Sequence, residues 1–226
     1  MRFGVVPYLN AYPLHAALEG EKIAASPSRL LPQLIEDRVD VALLPVFDRF
    51  RIPGLAHVPG LMIGCDGPSE TVLLHLAKPL AEARRIRLDP NSRSSNALLK
   101  ILLAKKHAVE AEFVDGDADA WLTIGDASFD PSPHPTLDLG AEWKDWTGLP
   151  FVFALWTYRA SRTDARAIVD AVTRARHASP KPPAVGGLDP ERIQRYLTQV
   201  IRYDLGERET QGMDRFIALC REMKLL

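Results

Sequence analysis

Four short segments carry residue types able to act on a small polar molecule. Tyr8-Leu9-Asn10 comes first, between an apolar run and Pro13. A primary amide donates and accepts at once, so Asn10 can hold a ligand hydroxyl or carboxylate, or simply cap a turn. Tyr8 is grouped with it as a ligand contact. The second segment is Pro68-Ser69-Glu70-Thr71, where the hydroxyls of Ser69 and Thr71 can receive an anion or close a plain turn. The third, Leu88-Asp89-Pro90-Asn91-Ser92-Arg93-Ser94-Ser95, opens a helix with one arginine and three serines. Backbone N–H groups, the helix dipole and a guanidinium together favour a carboxylate or phosphate. An N-cap explains one serine but not the cluster, so Ser92, Arg93, Ser94 and Ser95 are expected to contact an anion. The fourth is Thr123-Ile124-Gly125-Asp126. Gly125 permits close backbone approach, and Asp126 can orient a donor or satisfy loop amides. Thr147 and Gly148, in the stretch 143–150, are grouped with it as ligand contacts.

Other chemistries lack their residues. The histidines fall in no metal-ligand or triad spacing. His134, in a proline-rich loop at 130–136, reads as a surface residue rather than a base. No phosphate-binding loop, dinucleotide fingerprint or G-x-S-x-G elbow occurs. A formal net charge of -1 gives no overall field toward nucleic acid or an acidic membrane, and no basic stripe stands out. Cys65 and Cys220 lie far apart and read as buried thiols in a reducing compartment. No apolar run reaches the roughly 18–20 residues that span a bilayer. Residues 1–6 read directly as a strand rather than a secretory leader, so the expected location is the cytoplasm.

The elements that must position these groups alternate. Residues 2–6 form a first strand, Pro13 starts a short helix to about Glu19, and Lys22 to Ala25 is strand-like. Ser28 caps a helix with Leu31, Leu34 and Ile35 on one face, ending near Arg38, and 39–46 is an apolar strand. That order predicts a parallel α/β unit. After the turn-rich stretch 64–68 the alternation restarts, with strands at 71–76, 85–88, 112–114 and 121–124. A helix capped by Ser94 or Ser95 carries Leu98, Leu99, Leu102 and Leu103. The aromatic strand 151–158 leads back, and three helices follow. Their faces are Ile168/Val169/Val172, Ile193/Tyr196/Leu197/Val200/Ile201 and Met213/Phe216/Ile217/Cys220. Asp189-Pro190-Glu191 opens the second of these, after a loop marked by Pro180, Pro182, Pro183, Gly186 and Gly187.

The expected organisation is two α/β lobes, 1–68 with 159–226 as lobe I and 69–158 inserted as lobe II, with hinge closure around a ligand. With 226 residues the chain has material for both cores. Hydrophobic residues at 46% and charged residues at 25% are ordinary for a soluble protein. In open sheets, ligands bind beyond the carboxyl ends of strands, which is where the four segments fall.

At these segments the chain resembles the chorismate dehydratases of menaquinone biosynthesis by the futalosine route. The shared pattern is Y-L-N-A-x-P-L at 8–14, V-D-V-A-L-L-P-V at 39–46 and L-D-x-x-S-R-S-S at 88–95. It continues with I-G-D at 124–126 and T-G-L-P-F-V-F-A at 147–154. Here S-R-S-S replaces the family's usual S-R-T-S, and Thr71 stands where serine is common. The resemblance implies a type II periplasmic-binding-protein fold turned into a lyase, without metal or organic cofactor. Its reaction would be loss of water from chorismate to give 3-[(1-carboxyvinyl)oxy]benzoate. It further implies that the substrate's own side-chain carboxylate takes the proton, assisted by Asn10, while Arg93 and the hydroxyl loops anchor a carboxylate. Two readings compete. The sister enzyme that cleaves cyclic dehypoxanthine futalosine would need a histidine base, for which His134 is the candidate. A non-catalytic small-anion-binding protein would reuse the same fold.

Overall fold

A computed structural model describes residues 1–178, 181–185 and 187–226. Its first three strands, β1 (Arg2–Val5), β2 (Glu21–Ala24) and β3 (Val41–Pro45), run parallel with β1 in the middle. α1 (Tyr12–His15) uses Pro13 in its first turn, where a missing N–H costs nothing, but stops well short of Glu19. α2 (Pro27–Ile35) begins after Ser26 rather than Ser28 and buries Leu30, Leu31 and Leu34. Ile35 turns away from that face and is half exposed. The apolar run after Val39 conceals a boundary, because β3 passes directly into α3 (Val46–Arg51). β4 (Leu55–His57) and β5 (Leu61–Cys65) follow.

The chain then builds a second sheet from β6 (Val72–Leu76), β7 (Arg85–Arg87), β8 (Glu112–Phe113), β9 (Ala120–Ile124) and β10 (Thr136–Asp138). Its strand order is β10-β6-β9-β7-β8. Two helices flank these strands, α4 (Arg93–Ile101) and α5 (Leu139–Thr147). Ser92, not Ser94 or Ser95, caps α4: its side chain accepts from the Ser95 N–H at 3.2 Å. Both sheets are mixed where strand–helix alternation predicts parallel ones. β6 is antiparallel to β9 and β10, while β7 is parallel to β8 and β9.

β11 (Phe151–Arg159) returns to the first sheet and lies antiparallel to β3, β4 and β5. α6 (Ala165–His177), α7 (Pro190–Arg195), β12 (Ile201–Asp204) and α8 (Glu207–Glu222) complete the chain. Asp189 caps α7 through the Glu191 N–H at 3.1 Å, as its sequence signal predicts. The expected helix through Ile201 is shorter. It widens into a π-type turn at Tyr196–Val200, and Ile201 starts an edge strand on β5. Alternate burial of Ile201 and Tyr203 satisfies a period of two that the helical spacing masks. Of the proline- and glycine-rich loop before α7, Pro182, Pro183 and Gly187 lie outside helices and strands, while Pro180 and Gly186 fall outside the described residues.

Two cores result. One gathers Phe3, Leu14, Leu30, Leu34, Leu43 and Trp156 with Ile168 and Val172 of α6. The other gathers Leu74, Ile86, Leu98, Leu102, Trp143 and Phe151 with α8. The face Met213/Phe216/Ile217/Cys220 forms as spaced, and it packs into this second core. Gly212 makes that approach possible, since a Cβ there would stand 2.0 Å from the Pro150 carbonyl oxygen. Cys65 and Cys220 are free thiols, buried in the second core. Among the described residues no helix is long and apolar enough to cross a membrane.

Candidate active site

Between the two sheets lies a cleft with about 580 Å³ of space between its atoms, its mouth included, a size that suits a small metabolite. Both parts of the chain line it. Tyr8, Asn10, Pro45, Phe153 and Ala154 come from the first sheet and its loops; Thr71, Ser92, Ser95, Ile124 and Gly125 come from the second. Val6, Leu43, Ile63 and Val72 make much of the wall apolar. Five of the lining residues are thus among those singled out by type and spacing for hydrogen bonding, and Gly125 joins them by its backbone.

Asn10 sits in the 3-10 turn Leu9–Ala11, which follows β1 because Tyr8 is still extended. Its Oδ1 is buried and has no hydrogen-bond partner among the described residues. A buried acceptor left bare costs about 1–3 kcal/mol. Beside it, the Tyr196 hydroxyl bonds the Thr71 hydroxyl at 2.7 Å. Burial pushes the Tyr196 pKa far up, with Thr71 and the nearby Asn10 amide pulling the other way. Burial likewise raises the Tyr8 phenol, helped by Asp89 and Asp126. Both tyrosines are therefore neutral donors at ordinary pH.

Gly125 is required here by conformation. It has φ +66, and a Cβ would meet the Tyr8 ring at 3.0–3.2 Å. Its N–H donates to the Thr71 carbonyl at 2.9 Å, which ends β9 against β6. On the facing wall, Ser92 and Ser95 meet at the start of α4, with Ser92 Oγ donating to Ser95 Oγ at 2.8 Å. The positive end of the α4 dipole accompanies them.

The remaining expected contacts are placed elsewhere. Arg93 is not part of the wall: its Nη1 donates to both oxygens of Asp48 at 2.9 and 3.1 Å. Asp48 is fully buried, and this contact turns the Arg93 guanidinium toward α3 rather than toward the residues lining the cleft. Ser94 Oγ accepts from the Phe47 N–H at 3.2 Å, joining α4 to α3. Ser69 is fully buried and bound to Asp138 through N and Oγ. Thr147 and Gly148 terminate α5. Thr147 Oγ1 donates to the Trp143 carbonyl at 2.8 Å, and Gly148 takes φ +71 as the cap. Asp126 faces the Leu9 N–H rather than the open space. His134 lies edge-on to Trp121 at 5.2 Å, away from the cleft.

Three residues matter that spacing passed over. Tyr196 read only as part of an apolar face. Asp48 is hidden in the short α3. Asp138 caps α5 through Gly140 and Ala141 and also accepts from Ser69 and Glu70, pinning the passage from β5 into β6. An Asp ahead of a helical run is a cap signal, and it was the available clue.

This is a two-lobed fold of the type II periplasmic-binding-protein class with a ligand cleft between its lobes. The periplasmic aliphatic sulphonate binding protein SsuA from Escherichia coli matches it with a TM-score of 0.64 at 15% identity, over 100% of this chain and 88% of that one. The model of the menaquinone biosynthesis family matches residues 1–222, and the chain belongs to that family. A chorismate dehydratase of Campylobacter jejuni subsp. jejuni is 25% identical over 241 residues, covering 100% of both chains. Another, from Thermus thermophilus, is 29% identical over 251 residues, covering 94% of this chain and 92% of its own. The present chain is an enzyme of the dehydratase, or hydro-lyase, class.

Proposed function

We propose that the protein removes water from chorismate to give 3-[(1-carboxyvinyl)oxy]benzoate, in the cytoplasm, for menaquinone made by the futalosine route. The observation that carries this reading is the bare, buried Oδ1 of Asn10 on a wall that offers no ordinary base. Among the described residues lining the cleft, none is a histidine, lysine, aspartate or glutamate. A substrate that brings its own base suits such a site. Chorismate carries an enolpyruvyl carboxylate close to the ring proton that must leave. That carboxylate takes the proton, the neighbouring hydroxyl departs, and proton and hydroxyl leave together as water. The ring becomes aromatic, which supplies the driving force.

The protein then has to hold the substrate in a reactive shape and stabilise developing charge. Asn10 orients the attacking carboxylate or the departing hydroxyl through its amide. Ser92, Ser95 and the α4 amides receive the ring carboxylate, in place of a cation. The apolar wall of Val6, Leu43, Ile63 and Val72 faces the carbocycle. The lobe division belongs to this reading with its second boundary moved, because β11 pairs with β3, β4 and β5 of the first sheet rather than closing the inserted lobe at 158. The segment 69–150 contributes the α4 serines and Gly125, while the first lobe contributes Asn10.

Incubating purified protein with chorismate and following products by chromatography and mass gives the test. A product lighter by one water is expected. No such product, together with turnover of cyclic dehypoxanthine futalosine, would overturn the reading in favour of the sister reaction. Tight chorismate binding without turnover would leave a binding protein. Asn10→Ala should lower kcat by roughly 100-fold or more with the fold intact by circular dichroism.

A further inference from the structure

Asp126 faces the chain, not the cleft, and the partner it selects is distant. Both carboxylate oxygens accept from the Leu9 N–H, at 2.9 and 3.2 Å, across 117 residues of sequence. That N–H opens the turn carrying Asn10, and Tyr8 supplies no side-chain cap for it. The cap therefore arrives from the second sheet. Gly125 adds a second hold, because its bare Cα lets the Tyr8 ring pack within 3.0–3.2 Å of where a Cβ would stand. Residues 125 and 126 thus grip the two residues directly before Asn10. Asp126 is half-buried, and drawing a carboxylate partly out of water for one backbone amide is a costly way to close a loop. Burial raises the Asp126 pKa, with the Leu9 N–H only partly offsetting it. Such a cost is reasonable where the direction of the turn itself matters.

We propose that Asp126 is a positioning residue, which through the Leu9 N–H fixes the turn that aims the Asn10 amide into the cleft. One lobe thereby sets the reacting group of the other. This rests on the role given to Asn10 in chorismate dehydration. A sub-ångström shift of a positioned group is enough to change turnover strongly while leaving ground-state binding nearly intact.

The test compares wild type, Asp126→Ala, Asp126→Asn, Asn10→Ala and the Asp126→Ala/Asn10→Ala pair, by kcat and KM on chorismate and by amide hydrogen exchange at Leu9 to Ala11. Asp126→Ala should lower kcat by roughly 10- to 100-fold with KM within about 3-fold. Asp126→Asn keeps an acceptor oxygen and should recover most of that loss. In the Asn10→Ala background, removing Asp126 should cost less than about 3-fold, since the aimed group is already gone. Exchange at Leu9 to Ala11 should rise in Asp126→Ala but not in Asp126→Asn. Equal losses in both backgrounds, or an asparagine variant no better than alanine, would overturn the proposal. Should wild type give no product from chorismate, the reaction is wrong and exchange decides alone: unchanged protection in Asp126→Ala sinks the positioning role. If Asp126→Ala does not fold, Asp126→Ser, too short to reach Leu9, takes its place in every comparison.

Discussion

Arg93 shows how one buried charge redirects a neighbour. Asp48 lies in the first turn of α3 with no exposed surface, and Arg51 reaches it only at 3.3 Å. Arg93 supplies the closer contact at 2.9 Å while its own side chain remains 41% exposed. Removing one partner of a buried pair strands the other, and partial exposure with a second arginine moderates the effect. Arg93→Ala is therefore expected to lower stability by about 1–3 kcal/mol, read as a lower urea midpoint, with KM for chorismate changed less than about 2-fold. A tenfold rise in KM at unchanged stability would return Arg93 to the substrate. At this scale the sequence marked the polar residues well and their partners poorly. Ser92 and Ser94 are two residues apart at the start of α4, yet one caps the helix beside the cleft and the other ties it to α3.

At the scale of elements, Asp40 holds together the edge where β1 and β3 meet. It accepts from the Arg2 N–H at 2.7 Å and from the Arg2 and Arg162 guanidinium groups at 2.9 and 3.0 Å. Burial alone would raise its pKa; the bonds from Arg2 and the charge of Arg162 outweigh that and hold it below the usual carboxylate value. A folded-state pKa below the unfolded one gives stability that is present above the unfolded value, about 4, and is lost as pH falls through the folded value. Asp40→Asn should thus unfold at lower urea than wild type at pH 7, with the two midpoints converging as the pH falls through the lowered folded-state value of Asp40. A gap independent of pH would show that packing, not charge, is responsible. Periodicity recovered β1, β2, β6, β9 and the faces of α4, α6 and α8. It missed α3 and β12, which are short, and α5, of whose nine residues only Leu139, Gly140 and Trp143 are buried; in β12 the helical and strand periods overlap at Ile201.

For the whole molecule, the decisive contacts run between the two sheets. Tyr196 bonds Thr71, Arg195 clasps Glu70 through two bonds of 2.7 Å, and Leu9 bonds Asp126. The Tyr196–Thr71 pair is buried and neutral, so Tyr196→Phe should cost about 1 kcal/mol. Because the two cores share β11, which pairs with β5 and packs on α8, that loss should appear as a lower midpoint with an unchanged urea slope. A transition split into two steps would mean that the lobes unfold separately and that this bond is what couples them.

By itself the sequence determined the α/β class, the order of most elements and the four polar segments that surround the cleft. These are local properties: a helical or strand period, a cap or a proline is read within a few residues. It also placed Asn10 at the mouth of a strand, where ligands bind. Only the tertiary structure decided that Asn10 Oδ1 stays bare, that Asp126 serves Leu9 and that Arg93 serves Asp48. A polar side chain bonds whatever stands within about 3 Å of it, and for these residues that neighbour lies dozens of positions away along the chain.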